Sequence, residues 1–377
     1  MNISKKTRVK GLLFCVALSI LVTGCSEYND PKNNVPTKGE EITYENTDTY
    51  KKELASNISV DAKVSIPKEK AIPILSVSGM KFDVEKARQL FMGDINVKAE
   101  KSTDTVGSEK VEETIYNTED GRNLKVSKGR MHYETPVSSD IANIINFVDK
   151  DSWGAEKVGF MTPEEAIKKA IYYLKELNIN YDSSPEIYAL DYKTLQEEQD
   201  RLLEEDDFFQ FLVDEGKIKL KNWSKEDEVY YMIFKSNIDG VPITSESYTL
   251  QSVDWHMEGS SIKVIVSKNG IEDFTIESYM YEKMSVKDEK PSLISIDEAL
   301  DKLKSKYDNV ISNDDFKIID IKLQYVPTII KDKRTEFELY PTWCFKVEQS
   351  GIDEKINEEF THTFTVLING VTGEEII

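Results

Sequence analysis

Thr162-Pro163-Glu164-Glu165 places an N-cap threonine, a proline at the first helical position and a glutamate three residues beyond the cap. Each of these satisfies or sidesteps a backbone N–H that the first helical turn leaves unpaired, so a helix starts here. Ala166, Ile167, Ala170, Ile171, Leu174 and Leu177 then recur at helical spacing and give that helix one apolar face. The device returns 133 residues further along as Ser295-Ile296-Asp297-Glu298, followed by Ala299, Leu300, Leu303 and Tyr307. The two helices align position for position: Ala166 with Ala299, Ile167 with Leu300, Ala170 with Leu303 and Leu174 with Tyr307. Such a repeat predicts an internal duplication.

The segments after the two helices share a common order. After the first come an apolar strand at Ile187 to Leu190, a charged helical insertion from about Thr194 to Glu215, and a strand at Tyr230 to Phe234 running to a turn at Asp239-Gly240. Strands at Ser261 to Ser267 and Phe274 to Tyr281, joined by Asn269-Gly270, complete that unit. After the second helix come strands at Lys317 to Val326, Phe337 to Tyr340, Trp343 to Glu348 and Thr361 to Ile368. A helix with antiparallel strands after it predicts an α+β fold of tandem units, each an antiparallel sheet with a helix packed on one face. The units span 155–288, which includes the insertion, and 289–377.

Residues 51–150 read as an N-terminal α+β module. Its strands are Ser59 to Ile66, with Val60, Ala62, Val64 and Ile66 alternating, Ile72 to Val77, Val111 to Tyr116, and Leu124 to Tyr133 bent at Gly129. A short helix from Val84 to Phe91, capped by Asp83, buries Ala87, Leu90 and Phe91. The stretch from Pro136 to Gly159 breaks the periodicity and reads as the module boundary.

The capped helix with Glu-Ala, the sheet after it, the run Leu339-Tyr340-Pro341-Thr342-Trp343 and the closing Gly370-Val371-Thr372-Gly373-Glu374-Glu375-Ile376-Ile377 resemble the PepSY-like fold. They are also similar to the YycH/YycI-type regulatory proteins of Gram-positive bacteria, whose ectodomains repeat that fold. The resemblance covers about residues 160 to 377, and Asn369-Gly370 stands where those families have Asp-Ala. It implies a regulator that binds or modulates another envelope protein: a sensor kinase, protease or transporter ectodomain. On the residues alone, Thr372-Gly373-Glu374 is a turn with glycine at positive φ, and Pro341 is an edge or strand-start proline beside a core aromatic.

The N-terminus supplies an address. Lys5, Lys6, Arg8 and Lys10 precede the apolar run Leu12 to Val22 and then Thr23-Gly24-Cys25. At 1.5 Å per residue that run spans roughly 16 Å, about half a bilayer core, so residues 1–24 read as a cleaved signal peptide. The small residues before Cys25 resemble the lipobox of bacterial lipoproteins, with Val22 at the usual leucine position, which implies lipidation of Cys25 and a place on the extracytoplasmic face of the cell membrane. Residues 25–50, rich in Asn, Asp, Glu, Thr and Lys, read as a solvated, disordered tether. Loss of the signal takes four basic residues and no acidic one, moving the net charge from -21 to about -25. So acidic a body repels polyanions and anionic lipid headgroups, which excludes nucleic acid as a partner and leaves attachment to the lipid. Cys15 leaves with the signal and Cys25 is acylated, so Cys344 stands alone and reads as a small buried hydrophobe.

No chemistry is signalled. His132, His256 and His362 are more than a hundred residues apart with no ligand at zinc spacing, and neither a nucleophile elbow, a phosphate-binding loop nor a C-x-x-C occurs. No catalytic residue, metal or cofactor is therefore assigned. Glu204-Glu205-Asp206-Asp207 lacks the alternating ligands and central glycine of a calcium loop. Leu195, Leu202 and Phe209 recur every seven residues in the insertion, with Leu203, Phe208, Phe211 and Leu212 widening the stripe. The stripe packs on its own domain or, in a second reading, Leu195, Leu202, Phe209 and Leu212 meet a partner. The expected function is a non-enzymatic, lipid-anchored protein that binds or modulates an envelope partner. The alternative is a small-ligand or peptide-binding lipoprotein, which requires a concave pocket with convergent polar groups between domains.

Overall fold

In the computed structural model the chain alternates between two sheets. It describes residues 44–377 except 69–70, 96, 107–108, 148–152, 154, 251–254, 258, 308–313, 331–332, 334, 354–357 and 377. The signal segment 1–24, Cys25 and the tether to residue 43 lie outside the described residues. Three strands open the described chain: β1 (Tyr44–Ala55), β2 (Ile58–Pro67) and β3 (Ile74–Gly79). After helix α1 (Val84–Met92) come β4 (Ala99–Val106), β5 (Glu109–Asn117), β6 (Asn123–Ser127) and β7 (Arg130–Glu134). Two helices come next, α2 (Pro136–Ile145) and α3 (Pro163–Glu176), then β8 (Glu186–Leu190) and the insertion helices α4 (Tyr192–Glu205) and α5 (Asp207–Asp214). Beyond them are β9 (Val229–Lys235), the short pairs β10 (Asn237–Ile238) with β11 (Val241–Pro242) and β12 (Tyr248–Leu250) with β13 (Trp255–Met257), then β14 (Ser261–Ser267) and β15 (Gly270–Ile276). The chain closes with β16 (Tyr281–Asp288), α6 (Ile296–Tyr307), β17 (Asp315–Ile329), β18 (Glu336–Asp353) and β19 (Glu358–Asn369). The fold class is α+β, with 47% strand against 24% helix.

The eight-stranded sheet runs β4-β5-β6-β7-β15-β14-β9-β8; the seven-stranded sheet runs β1-β2-β17-β18-β3-β16, with β19 also on β18. The latter is the frame and the former is inserted into it. β3 leaves the frame at Gly79 and β16 rejoins it at Tyr281, and these two residues are cross-strand partners. The sheets are therefore nested rather than sequential. Residues 51–150 form no sheet of their own: β1 to β3 belong to the frame and β4 to β7 to the inserted sheet. The boundary near 288 also moves, because β16 pairs with β3 rather than with β15. No local pattern announces these pairings, since the partners lie about two hundred residues apart. The frame is not wholly antiparallel either, because β2 runs parallel to β17.

Both capped helices form as the residues dictate. The Thr162 hydroxyl accepts from the Glu165 N–H while the Glu165 carboxylate accepts from the Thr162 N–H at 2.8 Å. Ser295 and Glu298 repeat the exchange at 3.2 and 2.7 Å. α3 buries Ala166, Ala170 and Leu174 with Ala87 and Phe91 of α1 against the inserted sheet, and α6 buries Ala299, Leu300 and Leu303 against the frame. The opposite face of the inserted sheet carries α2, α4 and α5 through a third core around Ile141, Leu195, Trp223 and Tyr231.

Four local expectations are corrected. Pro136 opens α2 where the periodicity break reads as a module boundary: Thr135 caps it, with Ser138 closing the capping box in place of an acidic residue. Gly129 does not bend one strand but turns the β6–β7 hairpin, with φ of 77°. β1 starts at Tyr44, inside the segment expected as tether, and the Tyr50 hydroxyl donates to Asp297 at 2.6 Å. Pro341 lies within the continuous strand β18, not at a start or edge. It sits where β18 exchanges β3, last paired at Leu339, for β19, first paired at Thr342. Its carbonyl accepts from Gly370 at 2.8 Å, and its absent N–H falls in the gap between the two neighbours.

The sheets meet where backbones touch. A Cβ on Gly79 would lie 3.2 Å from the Gly129 Cα, a tight backbone contact that glycine avoids. Around it the Met80 N–H donates to Met280, the Gly129 N–H to Met80 and the Met280 N–H to Gly129, at 2.7 to 2.8 Å. An arm of the inserted region also returns to the frame: Ile243 bridges Tyr325, and Tyr248 and Leu250 are buried in the frame core.

Candidate functional site

The insertion is where sequence places a partner surface, and its local geometry divides the apolar stripe in two. Asp206 leaves helical conformation at φ -114° and ψ 101°, ends α4 and caps α5 by accepting from the Phe209 N–H at 2.7 Å. The helical register restarts there, so one heptad stripe cannot run through both helices. Leu195, Leu202 and Phe209 are each no more than 1% exposed, and Leu212 is half-buried against the same core. Exposing each of the three fully buried side chains costs about 2 kcal/mol, so they hold the insertion on its own sheet and are not partner-facing. Of the two readings of the stripe, the packing of Leu195, Leu202 and Phe209 is that of the first, on their own domain. Gln199 reinforces the seat, donating to the Lys221 carbonyl at 2.9 Å and accepting from the Trp223 indole at 3.2 Å. The Lys221 ammonium in turn lies 3.0 Å from Asp140 on α2 and 2.8 Å from Asp227.

The outward side of α5 is different. Phe208 and Phe211 are 60% and 54% exposed, and their rings stack 6.4 Å apart at 18°. Phe147 leans on both layers, 6.2 Å from Phe208 and edge-on to Phe209 at 5.5 Å. Exposed Glu204, Glu205, Asp207, Asp214 and Glu215 surround this pair in sequence. The cap at Asp206 is the signal that separates these two aromatics from the buried set.

The second surface is a groove of about 740 Å3 at the meeting of the sheets. Its apolar wall is Phe82 and Val84 at the start of α1 with Val111 of β5 and Val126 of β6. Around the wall stand Lys81, Lys110 and Lys128, with Glu112, Glu282 and Glu336. Glu282 accepts from the Ser78 hydroxyl at 3.2 Å and the Lys81 backbone N–H at 3.4 Å, and Glu336 pairs with Lys333 at 3.3 Å. The groove draws on separate stretches of both sheets, so no contiguous motif could reveal it.

The histidines stay apart. His132 sits in a cross-strand ladder, 2.9 Å from the Thr275 hydroxyl and 3.3 Å from Glu134; His256 is 3.3 Å from Thr249; His362 lies between the Phe360 and Phe364 rings. In the same ladder burial pushes the Asp273 carboxyl up to about 6, against the pull of the Thr275 hydroxyl at 2.7 Å and of His132. Cys344 is buried, accepts from the Gln324 amide at 3.1 Å, and has its thiol pushed up to about 12 by burial. It is therefore protonated and shielded from thiol reagents while folded. Among the described residues no group of three or more His, Cys, Asp or Glu is placed to hold a metal ion, and no helix is long and apolar enough to cross a membrane.

Two nested sheets with helices packed on them, an exposed aromatic pair and an open groove define the chain as an α+β protein. No family model and no curated protein matches the sequence. Among solved structures the chain is similar to that of an uncharacterized protein from Eubacterium rectale ATCC 33656, with a TM-score of 0.61 at 16% identity. The match covers 87% of this chain and 92% of the other, so the likeness extends through both sheets and is one of fold.

Proposed function

We propose that the protein is a non-enzymatic lipoprotein, anchored through Cys25 on the extracytoplasmic face of the membrane, that binds and modulates another envelope protein. The two helix-then-sheet regions, led by α3 and α6, are read as PepSY-like units of the kind that YycH/YycI-type regulators resemble. The observation that carries the reading is the Phe208–Phe211 pair. Two stacked, half-exposed aromatics lie outside the core on a helix otherwise locked to its own sheet, while buried aromatics dominate interface energetics. The acidic residues around them select the partner's chemistry: an apolar segment bearing Lys or Arg.

The test is site-specific photocrosslinking from position 211 in the native envelope, with the anchor intact and an unrelated tethered lipoprotein as control. Recovery of one protein through a cationic extracytoplasmic segment, lost in Phe208→Ser and in high salt, is the expected result. Crosslinks no more frequent than the control's, or unaffected by salt and by Phe208→Ser, sink the reading.

The groove favours a second reading, a small-ligand or peptide-binding lipoprotein. Its volume is in the range of small-molecule sites, and it combines an apolar wall with polar groups between two sheets.

A further inference from the structure

We infer that the inter-sheet groove takes a small organic anion with a flat or extended apolar body; this rests on the second, ligand-binding reading. The inference comes from the charge balance of the groove. Three lysines and three glutamates line it, which nominally cancel. Their engagement is unequal. Glu282 already accepts two hydrogen bonds and Glu336 already holds Lys333, whereas Lys81, Lys110 and Lys128 make no ion pair among the described residues. Of the carboxylates only Glu112 is likewise unengaged there. Three lysines without an ion pair among the described residues thus line the groove with one such glutamate.

The setting makes that excess specific. The chain carries 69 acidic against 48 basic residues, so three unpaired lysines gathered around one concavity run against the charge of the whole molecule. Between them the wall of Phe82, Val84, Val111 and Val126 offers apolar contact, Val84 and Val111 being its more exposed part. Thr114, Ser127 and Thr335 add hydroxyls. A carboxylate, sulfonate or phosphate on an apolar body satisfies both parts. A neutral molecule of the same shape uses only the wall, and an inorganic anion uses only the lysines.

Two isosteric probes separate these contributions: naphthalene-2-sulfonate and the neutral naphthalene-2-sulfonamide. Each is titrated by calorimetry into the full chain in a neutral detergent, with detergent alone as the blank. The sulfonate is expected to bind about tenfold more tightly at low salt, as three partly exposed charge contacts allow. That preference should vanish in Lys81→Gln/Lys110→Gln/Lys128→Gln while sulfonamide affinity stays unchanged. Raising salt from about 20 to about 300 mM should erode it in the unaltered chain too, a readout independent of the variant's folding. Glu112→Gln should tighten the sulfonate alone. Equal affinity for both probes overturns the anion class and leaves the groove as a ligand site. Saturable binding of neither probe overturns the ligand reading itself, without touching the proposal for Phe208 and Phe211.

Discussion

The frame sheet and the inserted sheet solve the same burial problem with different resources. The inserted sheet is covered on both faces by helices drawn from its own stretch of chain, α1 and α3 on one side and α2, α4 and α5 on the other. Among the described residues the frame has one helix, α6, and takes Ile243, Tyr248, Leu250 and Met257 of the inserted region into its core. Its ladder joins β2 to β17 and β3 to β16 across most of the sequence. The inserted sheet can therefore assemble from contacts closer in sequence, whereas the frame needs strands from both sides of the insertion, and loop-closure entropy makes such pairing the later event. Coverage, and not strand count, distinguishes the two.

Core truncation should act on this comparison most strongly. Phe274→Ala in the inserted sheet and Phe345→Ala in the frame each remove a fully buried ring and should cost about 3–5 kcal/mol. Because the arm and the glycine junction tie the sheets together, calorimetry should show one transition moving in both variants. Two separated transitions would show that the sheets melt independently. Gly129→Ala attacks the junction itself: φ is 77° and the new Cβ would lie 2.5 Å from the Tyr279 ring. A loss of about 2–3 kcal/mol in urea unfolding is expected, well above a surface substitution.

A pH experiment sharpens the contrast on the inserted side. Burial holds the folded Asp273 carboxyl at about 6, above its ordinary 3.8, so the folded state binds the extra proton. The stability contributed by that proton is complete below about pH 4 and is lost as pH rises through about 6. Between about pH 4 and pH 7 the unaltered chain should lose on the order of 2 kcal/mol relative to Asp273→Asn, read as the difference between their urea midpoints. Parallel pH profiles would remove this role. The smallest effects are expected at the caps. Thr162→Ala and Ser295→Ala each delete one half of a capping box and should cost about 1 kcal/mol apiece. Unequal losses would mean that the two helices, alike in sequence, differ in how far their sheets hold them in place.

Local chemistry was legible and long-range pairing was not. The caps at Asp83, Thr162 and Ser295, the apolar faces behind them and the turn at Asp239-Gly240, with φ of 52° and 78°, all arise from residues a few positions apart. Thr135-Pro136 escaped because the residue closing its capping box is Ser138, a weaker cue than glutamate. Pro341 misled because a strand interior tolerates proline only where its neighbour changes, and that change is set by Leu75 opposite Leu339 and Asn369 opposite Thr342, on other strands. At the site, the seven-residue recurrence of Leu195, Leu202 and Phe209 correctly marked an apolar face but not which way it points. The break at Asp206 assigns those residues to the core and leaves Phe208 and Phe211 outside.

The pairing of Gly79 with Tyr281 bears on how such a chain can change over generations. Everything from residue 80 to residue 280 leaves and returns through two facing positions of one ladder, the place an ordinary hairpin turn would occupy. An insertion or deletion within that stretch can leave every strand of the frame in register, provided the arm that seats Ile243, Tyr248 and Leu250 in the frame core is kept.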